Sequence, residues 1–387
     1  MPCPPVRSLA LFALFLCFTA IVSARVHPLT PADAEIDGNT RDLRPGDVLL
    51  LQPGDYPALV FRNLHGSADA PITITNAPGG RVRIGDPTAR AAVHFSQSSH
   101  LVFRGDGDPS FPYGFDIYAA RDQGGVGVQV NDFSTNVELS HLEISGTGFA
   151  GIMAKTDPRC DGSVRRGEFV QRQTIIHHNY IHDVGGEGLY IGHSFYAGWP
   201  HDCDGDPATP PEIHFPHHLE GVRIHDNIIE RTGWDGLQVG SAPADCEITR
   251  NTITDTGLRG VRYQQNGIQL GGGTTGLCAD NHITAAGAHG IIALGIGNNT
   301  ITGNIIERPG AYGLFCDDRP DTIPDSFVRI ENNTVVAPAE GGFLIFNGLS
   351  DVTIRGNRLQ LAPGQPVVKL GDDAAPDVSD NLTTFTP

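Results

Sequence analysis

The chain is 387 residues long, with a formal net charge of −18, 48 Gly, 28 Pro and 2 Trp. A chain this acidic, with no basic run, has no electrostatic footing for nucleic acid, and it could hold a polyanion only with cations in between. Gly and Pro at this level suit a turn-rich, extracellular fold.

Residues 1–24 read as a secretory leader, with Arg7 near the start, an apolar run from Leu9 to Ile21, and Val22-Ser23-Ala24 as a small-residue cleavage site. The run is too short to span a membrane. Cys17 follows Leu16 rather than a small residue, so a lipid anchor is not expected. The expected product is 25–387, cleaved near Ala24 and exported to the periplasm or beyond, a soluble monomer with no membrane or nucleic-acid partner.

Before residue 136 the runs LVFRNL, PITITN, VRIG, AVHF and HLVFRG predict strands, with Pro-Gly turns between them in LRPGDVLLLQPGDYP at 43–57. Two irregular insertions follow, at about 155–173 and 193–219, each after a Gly-opened apolar run. Cys160 lies in the first and Cys203 in the second, and export makes a bridge between them the expected pairing. Cys246, Cys278 and Cys316 fall at apolar-facing strand positions and are expected to be buried free thiols.

From there an asparagine returns inside one repeated phrase. Asn227, Asn251, Asn281, Asn304, Asn333, Asn357 and Asn381 are separated by 24, 30, 23, 29, 24 and 24 residues. A short alternating apolar run precedes each, and nine residues after Asn179, Asn227, Asn281, Asn304 and Asn333 a Gly opens a second run. Two strands and two turns are expected per repeat. A repeat this short cannot close its own core and must stack on its neighbours, so the period predicts one all-β solenoid of about a dozen coils over 25–387. Stacked turns let each amide donate to one coil and accept from the next, which explains the Asn.

The Gly-opened strands align in columns. Before the Gly stand Ala150, Glu187, Asp235, Asn266, His289 and Tyr312; two residues after it, pointing outward, stand Met153, Tyr190, Gln238, Gln269, Ile292 and Phe315. In one coil Gly260 competes with Gly267 for the register, which would substitute Arg259 and Arg262 for Asn266 and Gln269. Amides and aromatics in columns suit a sugar chain, so Tyr190, Trp234, Gln238, Asn266, Gln269 and His289 are the candidate substrate contacts. Glu187 and Asp235 are the candidate carboxyl pair. Lys155, which begins the first insertion, is a candidate base, and His193, which begins the second, a candidate general acid or base. Asp202, Asp204 and Asp206 stand at alternate positions like the start of a calcium loop, although Pro207 occupies the place of its Gly; a solvated acidic turn is the other reading.

The whole of 36–387 resembles the right-handed parallel β-helix proteins of the pectate-lyase-like superfamily. PGDVLLLQPGDYPALVF at 45–61 and GSADAPITITNAPGGRVRIG at 66–85 are similar to the opening of the chondroitinase B and alginate lyase family. That resemblance implies a Lys base and Arg acid beside a calcium bound to a uronate. Of the family's Asn-Gly-Gly-Glu phrase and following strand, Glu187 is present, while Val184 stands for the Asn and Tyr190 for the Arg. Trp199-Pro200-His201-Asp202 faintly resembles a mannuronan epimerase motif without its first Asp. The leading expectation is a polysaccharide lyase acting on a uronate polymer by β-elimination, with Ca2+ as its cofactor. A glycoside hydrolase using Glu187 and Asp235 and a non-catalytic carbohydrate-binding or surface-structural β-helix are the alternatives.

Overall fold

The computed structural model describes residues 24–385 apart from 89, 120–123, 206–209, 296, 318, 320–322, 324, 347–348, 350 and 372–373. Residues 1–23 of the expected leader lie outside the described residues, as does Asp206. Three parallel sheets of 13, 12 and 12 strands run the length of the chain, and each coil adds one strand to each. A representative coil is Arg223–His225 in the first sheet, Ile228–Thr232 in the second and Leu237–Gly240 in the third. Among the described residues no helix occurs, and none is therefore long and apolar enough to cross a membrane.

The expected two strands per repeat are thus three. The additional strand is the short run directly after each Asn, such as Ile228–Thr232, Thr252–Thr256 and His282–Ala286. It escapes a reading based on Gly and Pro punctuation because the turn before it needs neither. Asp226, Asp280 and Asn332 each take φ near +55° immediately before a ladder Asn, and short polar side chains tolerate that left-handed backbone; Arg250 takes it at the same place in its coil. A second left-handed residue four places after the Asn, such as Arg231 or Asp255, bends the strand and blurs its alternation.

The ladder is continuous. Each Nδ2 donates to the Oδ1 of the next Asn at 2.9–3.0 Å from Asn179 to Asn381. The same Nδ2 reaches back to a carbonyl of the preceding coil, as from Asn304 to Cys278 at 2.9 Å. Inside the coil, side chains stack by register: Ile224, Ile248, Cys278, Ile301, Ile330 and Ile354 form one column of the first sheet. Burying one such side chain stabilises by about 1.5–3 kcal/mol. Cys246, Cys278 and Cys316 are free and buried in this core, and burial pushes the Cys246 and Cys316 thiols up to about 12.

The first insertion leaves after Ile152–Ala154 and the second after Leu189–Gly192. They leave the same flank and are tied by Val170–Arg172 pairing with His218–Glu220 and by a Cys160–Cys203 disulfide with Cα atoms 5.4 Å apart. The second insertion carries an antiparallel hairpin, Trp199–His201 with Glu212–His214.

Candidate functional site

The third sheet settles the uncertain register. Tyr190 pairs with Gln238, Gln238 with Gln269, and Gln269 with Ile292, so Gly267 opens its coil and Asn266 and Gln269 hold the columns. The extra residues between Asn251 and Asn281 form a third excursion, 257–265, joining Thr252–Thr256 to Ile268–Leu270. Its Arg259 lies against the backbone at Gly185 and Gly233, each two residues before a candidate carboxyl. Gly260 remains in that excursion, so Arg259 and Arg262 are not column residues.

Leu237 and Val239 point into the core, which turns Gln238 outward between them, yet Gln238 and Gln269 are buried. The second insertion covers them. Ser194 Oγ accepts from Gln238 Nε2 at 2.7 Å, and Gln269 Nε2 donates to Gln238 Oε1 at 2.8 Å. Tyr196 packs so closely on the turn after the Gln269 strand that a Cβ at Gly273 would meet its ring at 2.2 Å. The outward face at Gln238 and Gln269 is therefore covered by the second insertion, while the 257–265 excursion lies against the corner at Gly185 and Gly233.

At the corner leading into this sheet the pre-Gly residues form a second ladder. Asp235 Oδ1 accepts the Asn266 N–H at 2.6 Å and Asn266 Nδ2 at 3.0 Å. Asn266 Oδ1 accepts the His289 N–H at 3.3 Å, and His289 Nδ1 the Tyr312 N–H at 3.4 Å. Glu187 and Asp235 stand one coil apart, since Gly188 N–H donates to the Asp235 carbonyl. They are only 2 % and 0 % exposed, and Glu187 Oε2 and Asp235 Oδ2 have no hydrogen-bond partner. Desolvation pushes Glu187 up to about 8; the Asp235 charge adds to it, while its own backbone N–H and Lys155 oppose it. Desolvation likewise pushes Asp235 up to about 7 against the two Asn266 donors. A buried carboxyl with one empty oxygen normally keeps its proton, and such groups gather where acid–base chemistry is done.

Aromatic rings frame this corner. Phe149 meets Trp234 edge to face at 5.4 Å and Tyr190 at 6.0 Å. Gly186 makes that possible, because a Cβ there would meet the Phe149 ring at 2.6 Å. Phe149 was missed in the sequence, although Phe149-Ala150-Gly151 stands in the same register as Trp234-Asp235-Gly236. Lys155 Nζ sits 5.0 Å from the centre of the Tyr190 ring and 2.6 Å from Asp157 Oδ1.

Other candidates are placed differently from expectation. His193 does not border the face: it is fully buried beneath the insertions, its Nε2 3.2 Å from the Thr156 carbonyl and its ring 5.2 Å from His217. Desolvation, reinforced by Lys155 and His217, holds it well below the usual histidine range, so it acts as a neutral support of the loops. His289 is pushed down to about 4 by burial and serves the ladder. Asp202 and Asp204 are exposed, and Asp202 Oδ1 accepts the Gly205 N–H at 2.8 Å in an Asx turn. Between the insertions a cavity of ≈ 260 Å³ is lined by Asp157, Pro158, Phe195, Trp199, His201 and His214; it adjoins the face through Asp157.

A family profile described as a right handed beta helix region matches residues 217–371. The native GH136 lacto-N-biosidase from Eubacterium ramulus superposes with a TM-score of 0.60 at 14% identity, covering 94% of this chain and 68% of that one. The chain is a right-handed parallel β-helix protein. Pectate lyase Pel9A matches the β-helix at TM-score 0.48 and 13% identity, covering 92% and 79% of the two chains. The A-module of the Azotobacter vinelandii mannuronan C-5 epimerase AlgE4 matches at 0.47 and 12%, covering 88% and 89%. These neighbours of the β-helix are carbohydrate-active proteins. No curated protein matches it in sequence.

Proposed function

We propose that this β-helix is an exported glycoside hydrolase that cleaves an oligo- or polysaccharide at the corner leading into its third sheet, with Glu187 and Asp235 as the carboxyl pair. The observation that carries the reading is the pair itself: two buried carboxyls on successive coils, each with one oxygen left empty and each raised towards neutrality. Coil spacing of about 4.8 Å matches the carboxyl separation of about 5 Å that retaining enzymes use. Asp235, held by Asn266, attacks the anomeric carbon through its free Oδ2 as Glu187 gives its proton to the departing oxygen. Glu187 then takes a proton from the water that releases the sugar from Asp235. Phe149, Tyr190 and Trp234 offer ring faces to the sugar. The likeness to the GH136 lacto-N-biosidase supports the scaffold alone.

A panel of neutral and uronate polysaccharides, read by reducing ends and by the ultraviolet absorbance of unsaturated products, tests the proposal. Glu187→Gln and Asp235→Asn should each lower hydrolysis by about two to four powers of ten, and the first product formed should keep its anomeric configuration. Undiminished hydrolysis in both variants would refute it. Unsaturated products would instead support the uronate lyase reading, which the position of Lys155 beside Tyr190 and Glu187 favours; Lys155→Ala would then abolish them. Calcium at Asp202, Asp204 and Asp206 is a separate proposal, read by calorimetric titration of Ca2+ against Asp204→Asn. Absence of any sugar binding by the wild type would favour the structural alternative.

A further inference from the structure

The corner between the first and second sheets is used by neither insertion and by neither candidate carboxyl, yet it gathers imidazoles on successive coils. His177 ends the strand Thr174–His177, His178 is the left-handed residue after it, and His225 ends Arg223–His225 one coil on. Register places His177 directly against His225, and the two rings stack at 4.9 Å with 5° between their planes. Nδ1 of His177 and Nδ1 of His178 are 2.8 Å apart. One ligand nitrogen from each of the three lies within 4.8 Å of the others.

Two carboxylates orient this group from behind. Glu138 Oε1 is 3.2 Å from His177 Nε2, and Asp226 Oδ2 is 2.7 Å from His225 Nδ1. Arg250 fixes Asp226 in turn through both oxygens, at 3.0 and 2.9 Å. A carboxylate on one ring nitrogen holds the proton there and leaves the lone pair on the other, so His177 presents Nδ1 and His225 presents Nε2. Carboxylate, imidazole and open lone pair in that order are the outer-shell arrangement that metal-binding histidines use. Three imidazoles with no thiolate suit a borderline divalent ion of the zinc class, with water completing four-coordination. Tetrahedral Zn–N bonds of about 2.1 Å put ligand nitrogens roughly 3.4 Å apart, so the His177 and His178 nitrogens, now 2.8 Å apart, part slightly while the widest spacing, up to 4.8 Å, closes; exposed His178, whose ring stacks on His141 at 5.4 Å, is the ring that turns.

We propose that His177, His178 and His225 form a zinc-class metal site at this corner, oriented by Glu138 and Asp226, which clips two successive coils together. The site is independent of the proposed carbohydrate site, because its ligands lie beside Asn179 and Asn227 rather than on the third sheet. A ligand that binds only the folded chain stabilises it by mass action, so the clip links coil stability to metal supply.

Tag-free, metal-stripped protein titrated with Zn2+ by calorimetry, and with Co2+ by visible absorption, tests this. The expected result is one saturable equivalent, a four-coordinate cobalt spectrum, and a zinc-dependent rise in Tm. The pair His177→Ala/His225→Gln should abolish all three, and Asp226→Asn, which keeps a side chain suited to left-handed backbone, should weaken zinc by about 10–100-fold. His282→Gln, a histidine outside the cluster, should change nothing. Failure of the wild type to bind zinc in a saturable way would overturn the proposal, as would unchanged binding in both the double variant and Asp226→Asn. Metal-free melting of each variant separates loss of ligand from loss of fold.

Discussion

At the residue scale, the unusual feature is free energy stored in two carboxyls. Both are raised in the folded chain, Glu187 from 4.5 to about 8 and Asp235 from 3.8 to about 7. The folded state therefore holds protons that the unfolded chain releases above about pH 4 to 5. Folding stability should fall as pH rises through that point and keep falling to about pH 8. Glu187→Gln should remove much of that fall, raising Tm at pH 8 while leaving it nearly unchanged at pH 4; equal shifts at both pH values would contradict the burial argument. On the proposed mechanism the same pair sets the rate profile. Asp235 must be ionised and Glu187 protonated, so hydrolysis should peak between about pH 7 and 8, with the two limbs belonging to the coupled pair rather than to either residue alone.

At the element scale, the Asn ladder shows how a turn of two residues carries a coil. Each amide accepts a backbone N–H and donates to a backbone carbonyl of the coil before, as Asn304 does with Asn281 and Cys278. Asn304→Ala should strand those groups and cost about 1–3 kcal/mol, measured by denaturant unfolding; a change near zero would mean water replaces the amide. The second ladder, at the opposite end of the second sheet, follows the same geometry with mixed chemistry. Asp235, Asn266 and His289 accept or donate in one column, and its departure from uniform Asn coincides with the empty carboxyl oxygens. A structural column would be satisfied by amides throughout; here acids replace them where the aromatic rings gather.

At the scale of the whole molecule, a rigid stack of coils presents loops whose own cohesion is modest. The two insertions are joined by the Cys160–Cys203 disulfide, 43 residues apart in sequence, and by the Val170–Arg172 and His218–Glu220 strand pair outside the three long sheets. Because the coils keep their own core, Cys160→Ser should leave the main unfolding transition nearly in place. It should make the segments around 155–173 and 193–217 sensitive to protease, and so open the cover over Gln238 and Gln269. Simultaneous loss of coil and loop resistance would show that the insertions are part of the stack's cooperative unit.

What the sequence determined by itself was everything that repeats. Asn spacing, alternating runs and Gly-opened strands recur because each coil meets the same neighbours, so the parallel stack, the ladder from Asn227 to Asn381 and the columns through Glu187 and Asp235 could be read from periodicity. The tertiary structure alone decided what happens once. The third strand of each coil lacked punctuation, and the choice between Gly260 and Gly267 needed neighbouring coils to pair. His193 proved to be buried because insertions fold back over their own roots, a non-local event that no spacing records. The histidine corner likewise depends on which coil lies above which: His178 and His225 are 47 residues apart in the chain and become neighbours only when the coils between their insertions close.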